Sequence, residues 1–404
     1  MTETSLDTAS RPTTTTRGIP PWVRGFIVFF ALFLFISAVK MIGGGQKVVA
    51  QDKSGDDFLK WIFTMVEDPM TGLLIGVLVT SLVQSSSFTT SFVVGLVATS
   101  SGVSLHAAVP IIMGANIGTS VTNILVSLAN VRHREEFRLS LGGAIVHDFF
   151  NVLSVMLFLP LEYAFGVISK PMDMVAKYLA TTNMFQTNPS DKIGFIKGAF
   201  GALAKLAKWV LVDVFSISKP VAGAIIAALA LILLFVALWL LVKMLRGLMQ
   251  QRLAGAFDRT IFRNPAIAFV VGIILTASVQ SSSVTTSLVV PLVGAGILQL
   301  RQIYPYTLGA NIGTTITAML AAIALGRPEG MACACGHLLF NIYGTAVFWP
   351  LQFIPISLAK GFAKLASRRR LIAAFYIIGF FFLLPASIIA IKNGLLTIIM
   401  NWFV

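Results

Sequence analysis

Apolar residues run in long stretches along this chain, broken by short polar segments, and the spacing predicts membrane-spanning helices. Phe26–Val39, Val221–Val242 and Leu371–Ile391 carry no charged residue, and about 20 apolar residues suffice to cross a hydrocarbon core. Arg24 and Lys40 flank the first stretch as interfacial anchors. Two further apolar stretches are interrupted in their middle rather than at their ends. Gln84–Ser87 reads QSSS, and Gln280–Ser283 reads QSSS again. Serine competes for backbone hydrogen bonds and is a weak helix-interior residue, so three in succession predict the tip of a helical hairpin. Irregular backbone at membrane depth cannot face lipid, so such a tip lines a cavity or lies against protein.

The interruptions belong to a duplication. TSLVQSSS at Thr80–Ser87 returns as TASVQSSS at Thr276–Ser283, 196 residues later. PIIMGANIGTSVTN at Pro110–Asn123 returns as PYTLGANIGTTITA at Pro305–Ala318, 195 residues later. HDFFN at His147–Asn151 returns as HLLFN at His337–Asn341, 190 residues later. Three motifs in one order at nearly one offset define two repeats. Gly114 and Gly118 bracket Ala-Asn-Ile, a pattern expected to break a helix into two halves, and the second copy reads alike.

Charge decides how the repeats are oriented. With the N-terminus inside, the short basic loops holding Arg132, Arg134 and Arg138, then Lys243–Arg263, then Lys360–Arg370 all fall on the cytoplasmic face. The two hairpins then open to opposite faces. The expected fold is therefore an all-α membrane protein of two inverted-topology repeats. Each repeat has a re-entrant helical hairpin with a QSSS tip and a discontinuous GANIGT helix, and scaffold helices stand beside them. The expected organisation begins with a disordered cytoplasmic tail (1–21) and an N-terminal scaffold helix with linker (22–60). Repeat 1 (61–160), an extracellular amphipathic segment (161–219), and a scaffold helix with cytoplasmic loop (220–263) follow. Repeat 2 (264–358) and a C-terminal basic loop and helix (359–404) complete it. A multi-pass protein of the cell inner (plasma) membrane is implied.

Composition agrees: 56% of the 404 residues are hydrophobic and 11% are charged, with a mean hydropathy of +0.87. The formal charge of +14 is scattered through the polar breaks, where anionic headgroups account for it better than nucleic acid does. Cys333 and Cys335, one residue apart, read as small packing residues rather than as a disulfide or zinc pair.

Half-helix N-termini at membrane depth suit an anion. Half-helix C-termini with Ser, Thr, Asn and Gln oxygens suit a small hard cation. No Asp or Glu occurs from Pro69 through Arg134, or from Arg259 through Leu325, which favours sodium over protons as the coupling ion. Nucleophilic serine chemistry is disfavoured, because no GxSxG elbow and no adjacent base surround these serines. No enzyme activity and no cofactor beyond transported sodium are expected. His147 with Asn151, and His337 with Asn341, are spaced to hydrogen-bond neighbouring helices from one face. Asp148 is unrepeated, its counterpart being Leu338.

With these residues in view, the chain resembles the type II sodium/phosphate cotransporter family. The paired QSSS segments, the paired GANIGT segments and HDFFN carry the resemblance over most of residues 60–395. It implies sodium-driven phosphate symport by alternating access. Without a fixed cationic partner in the motifs, charge balance predicts about two sodium ions per divalent phosphate. Ser85, Ser86, Ser87, Ser281, Ser282 and Ser283 are then the phosphate-binding positions. Gln84, Asn116, Thr119, Gln280, Asn311, Thr314 and Thr317 are the sodium-binding positions. Asn123, His147, Asn151, His337 and Asn341 support them. The scaffold suggests a homodimer in the lipid bilayer. Another small anion such as arsenate, or an ion channel in place of a transporter, fits the same polar residues.

Overall fold

The polar breaks become helix ends, and local chemistry shows why. The computed structural model describes residues 20–99, 103–182, 194–256, 261–392 and 394. The expected N-terminal tail lies almost wholly outside them, as do parts of 161–219 and 359–404. Every regular element among the described residues is helical. α1 (Pro21–Val49) and α2 (Lys53–Glu67) precede the first hairpin, α3 (Pro69–Val83) and α4 (Ser86–Ala98). α5 (Leu105–Gly118), α6 (Ser120–Ser127), α7 (Arg134–Phe165) and α8 (Ser169–Thr181) follow. α9 (Gly194–Lys208) and α10 (Lys219–Ala256) lead to the second hairpin, α11 (Pro265–Val279) and α12 (Ser282–Gly294). α13 (Leu300–Leu325), α14 (Pro328–Phe348), α15 (Phe353–Arg368) and α16 (Leu371–Lys392) close the chain.

Among the described residues, seven helical stretches are long and apolar enough to cross a bilayer. The hairpin arms are not. At 1.5 Å per residue, arms of 15 and 13 residues reach about 22 and 20 Å, short of a core of about 30 Å. Their tips therefore end partway through. Each first arm opens the same way: Asp68 accepts from Thr71 N at 2.8 Å before Pro69, and Asn264 accepts from Ala266 N at 2.9 Å before Pro265.

The architecture is reciprocal. α3 packs on α5 as α11 packs on α13. α4 then crosses to α13 and α14 of the second repeat, while α12 crosses to α6 and α7 of the first. α8 rests on α14, and α15 rests on α7. α1 and α10 pair with each other beside this core.

Several boundaries differ from expectation. The GANIGT helices are not broken into half-helices. α13 runs unbroken through its copy, and the first is interrupted only at Thr119, whose φ of −60° and ψ of −28° are helical. The glycines serve close approach instead. A Cβ at Gly114 would overlap the Leu73 carbonyl, and one at Gly309 the Phe269 carbonyl. At Gly118 and Gly313 it would lie 2.7 Å from Val77 O and 2.6 Å from Ile273 O. The helix that carries the motif thus lies backbone-to-backbone on the first arm of its own hairpin. Residues 53–60, expected within a linker, belong to α2, which meets α3 at 96°. α14 stops at Phe348, short of the expected end of repeat 2 at 358, because Pro350 offers no N–H and clashes one turn back. Lys360, Lys364 and Arg368 consequently sit on the separate helix α15 rather than in a basic loop.

Candidate functional site

Each QSSS tip is built from a helix stop followed at once by a helix start. Gln84 ends α3 in the left-handed region at φ 59°, and Gln280 ends α11 at φ 54°. Left-handed backbone costs a non-glycine residue about 1–2 kcal/mol, and strain of this kind collects at functional sites. At Gln84 the side-chain amide is engaged at both ends. Gln84 Nε2 donates to Ser81 O at 2.7 Å, and its Oε1 accepts from Thr122 Oγ1 of α6 at 2.8 Å. The next residues, Ser85 and Ser281, are extended and lead into α4 and α12. Ser85 Oγ accepts from Phe88 N at 3.2 Å as the N-cap.

The arms are clasped identically in both copies. Thr80 Oγ1 donates to Thr89 Oγ1 at 2.8 Å, and Thr276 and Thr285 hydroxyls meet at 2.7 Å. Thr90 donates to Ser86 O at 2.9 Å, and Thr286 to Ser282 O at 2.7 Å.

The two tips meet. Ser87 Oγ donates to Gln280 O at 3.0 Å, joining residues 193 apart in the chain, and Thr286 Oγ1 lies 3.0 Å from the side-chain amide of Asn123. The N-termini of α4 and α12 are thereby brought together. Their leading N–H groups lack intrahelical acceptors, and each terminus carries about half a positive charge. Ser86, Ser87, Ser282 and Ser283 are buried, whereas Ser85 and Ser281 are half-buried. Ser281 and Ser283 hydroxyls lie 3.2 Å apart. A pair of convergent helix starts lined with hydroxyls and backbone N–H groups can bind a tetrahedral oxyanion without any fixed cation.

A second polar layer lies behind the tips. His147 Nε2 and Asn311 Oδ1 are hydrogen-bonded at 2.5 Å, and Asn311 Nδ2 donates to Asn151 Oδ1 at 2.7 Å. Asn151 Nδ2 donates to Asn116 O at 3.0 Å, as Asn341 Nδ2 does to Asn311 O at 3.3 Å. Both ends of the Asn311 amide are thus engaged across the repeats. The partner-for-partner match stops there. Both ring nitrogens of His337, Asn341 Oδ1 and Thr317 Oγ1 are buried with no hydrogen-bond partner among the described residues. Asn116 Nδ2 turns back to Ile112 O at 2.9 Å, while Thr119 and Thr314 each bond the carbonyl one turn back at 3.0 Å. Among the described residues, no cluster of three or more His, Cys, Asp or Glu side chains is placed to hold a metal ion. Oxygen donors of amides, hydroxyls and carbonyls are what the site offers a cation.

Three parts of the site were not foreseen from sequence. Thr122 holds Gln84, yet of this pair only its counterpart Thr317 was singled out from the sequence. The Thr80–Thr89 and Thr276–Thr285 clasps were visible as a repeated TT following each tip, without an evident partner. Asp148 Oδ2 accepts a hydrogen bond from Tyr376 OH at 2.5 Å, a contact between residues 228 positions apart that no local pattern announces. Asp148 is wholly buried, and its Oδ1 has no hydrogen-bond partner among the described residues.

Comparison with known proteins adds a family. The sequence profile described as Na+/Pi-cotransporter matches residues 34–175 and 233–384, one block over each repeat. Sodium-dependent phosphate transport protein 2B of Homo sapiens is 34% identical over 453 residues, covering 91% of this chain. Sodium-dependent phosphate transport protein 2A of Rattus norvegicus is 34% identical over 427 residues, covering 89%. The chain spans 64% of the length of the former and 66% of the latter. No solved structure matches it.

Proposed function

The chain belongs to the Na+/Pi-cotransporter family, and from that premise we propose that it is a sodium-coupled symporter of inorganic phosphate. The observation that carries this reading is the meeting of the two tips, where Ser87 bonds Gln280 O. Phosphate oxygens would take the place of that bond, held by hydroxyls and N–H groups of Ser85–Ser87 and Ser281–Ser283. Sodium ions would sit against Gln84, Asn116 and Thr119 in one repeat, and Gln280, Asn311, Thr314 and Thr317 in the other. The amide of Asn311 is held by His147 and Asn151, so an ion taking its Oδ1 must displace the imidazole. That exchange couples ion binding to the contact between repeats.

The repeats are proposed to be inverted, with the N-terminus cytoplasmic in the inner membrane, and to alternate access by moving against the α1–α10 scaffold of a homodimer. Two sodium ions balance one divalent phosphate, which makes transport electroneutral. The buried, unrepeated Asp148 favours a second stoichiometry. An ionised Asp148 brings one more negative charge into the core, and a third cation would neutralise it.

Uptake of isotopic phosphate into proteoliposomes tests the reading. An inward sodium gradient should drive uptake, and a potassium gradient of equal size should not. Ser86→Ala combined with Ser282→Ala should abolish uptake without changing the yield of folded protein. Sodium-independent uptake would remove the coupling claim. Charge moved per phosphate, measured with and without Asp148→Asn, separates the two stoichiometries: zero in both supports two sodium ions.

A further inference from the structure

Behind the first hairpin lies a cavity of about 840 Å³, walled by α1, α2 and α10 on one side and by α3 and α4 on the other. Its floor is carbon, with Ile75, Val79, Phe92 and Val93 of the hairpin facing Ala224 and Ala228 of α10. It reaches Thr89, half of the clasp that closes the hairpin. Its mouth opens onto the bilayer-facing surface, since Phe58, Val221 and Leu231 line it and are themselves 54%, 52% and 37% exposed. The same surface continues through Ile232 and Phe235 along α10. Water gains few hydrogen bonds in such a place. Lipid is the solvent at the mouth.

The few polar side chains of the lining include Gln46 and Ser54. Pro220 lines it as well, and the exposed Lys53 and Lys219 are the chain neighbours of Ser54 and Pro220. Gln46 Oε1 is buried with no hydrogen-bond partner among the described residues. Three acids share this region of the chain: Asp52 caps α2 through Ser54 and lies within Coulombic reach of Lys219, Asp56 pairs with Lys60 at 2.6 Å, and Asp57 is exposed beside them. α2 is amphipathic and turns 96° from α3, as a helix lying in the interface does. Its apolar residues Phe58, Leu59, Ile62 and Phe63 roof the cavity.

We propose that this cavity is a phospholipid site: an acyl chain fills the apolar part, the phosphate sits by Lys53 and Lys219, and a headgroup donor meets Gln46. Phosphatidylethanolamine has all three features. The chain then bears on the back of the first hairpin, at the seam where hairpin and scaffold meet, so the bilayer touches the moving part directly.

The test uses the full-length protein in vesicles containing phosphatidylethanolamine with a photoactivatable diazirine at mid-chain, with labelled peptides mapped by mass spectrometry. Label is expected on Val93, which is buried away from annular lipid, as well as on the exposed Ile232. Ala224→Trp fills the cavity and should cut label at Val93 at least tenfold while leaving Ile232 unchanged. Ala228→Phe provides the same comparison should the tryptophan variant fail to fold. Label confined to bilayer-facing residues overturns the site, as does label at Val93 that neither variant reduces. Equal label at Val93 from diacylglycerol bearing the same chain overturns the role given to Lys53 and Lys219.

Discussion

Replacing Gly309 with alanine separates two meanings of the GANIGT glycines, because they predict opposite signs. A glycine kept to loosen a helix is replaced at a gain, since alanine is better by about 0.8–1 kcal/mol in a helix interior. In the structure the added Cβ overlaps the Phe269 carbonyl oxygen, with Phe269 C at 3.0 Å and Ile273 N at 3.1 Å. All three are backbone atoms, so no side chain can rotate aside and α11 must move away from α13. Insertion of one carbon into a well-packed interior costs about 1–3 kcal/mol. A backbone obstacle lies at the upper end, leaving a net loss of about 2 kcal/mol after the helix-propensity gain. Gly361, with nothing within 4 Å of its would-be Cβ, is the control, and alanine there should stabilise by up to about 1 kcal/mol. The assay is thermal unfolding of purified protein in one detergent, followed by intrinsic fluorescence. Gly309→Ala should lower the midpoint and Gly361→Ala should hold or raise it. A raised midpoint for both would refute close packing and restore the hinge.

Other expectations follow from the same contacts. His147→Ala leaves Asn311 Oδ1 buried without its donor and should cost about 1–3 kcal/mol, more than His337→Ala, whose ring nitrogens make no bond to the described residues; equal losses on thermal melting would contradict the assigned network. Tyr376→Phe removes the donor to Asp148 and should destabilise by a similar about 1–3 kcal/mol, a loss that Asp148→Asn in the same chain should partly relieve. Burial raises the Asp68 carboxyl, but hydrogen bonds from Lys392 and Thr71 outweigh it and hold the group below its usual value. Its contribution is therefore present above the ordinary Asp range and lost as pH falls through the lowered value. Asp68→Asn should cost less than about 1 kcal/mol at neutral pH, the pair being half-exposed, and its melting curve should merge with that of the native protein in acid.

How much of this could be read from the chain follows from the range of each interaction. The repeats, the hairpins and their turning points were legible because they rest on neighbours in sequence. A run of serines after an apolar arm, and the same words returning 196 residues later, need no fold to be recognised. Tertiary structure decided what the glycines are for, because Gly114 and Gly309 look alike whether a helix bends at them or another backbone lies on them. It also decided that Ser87 of one tip reaches Gln280 of the other, that Asn311 answers to His147, and that Tyr376 finds Asp148. Each of those bonds joins residues more than 160 positions apart, and hydrogen bonds act over about 3 Å. Local pattern names the donors and acceptors; only the packing of one repeat into the other pairs them.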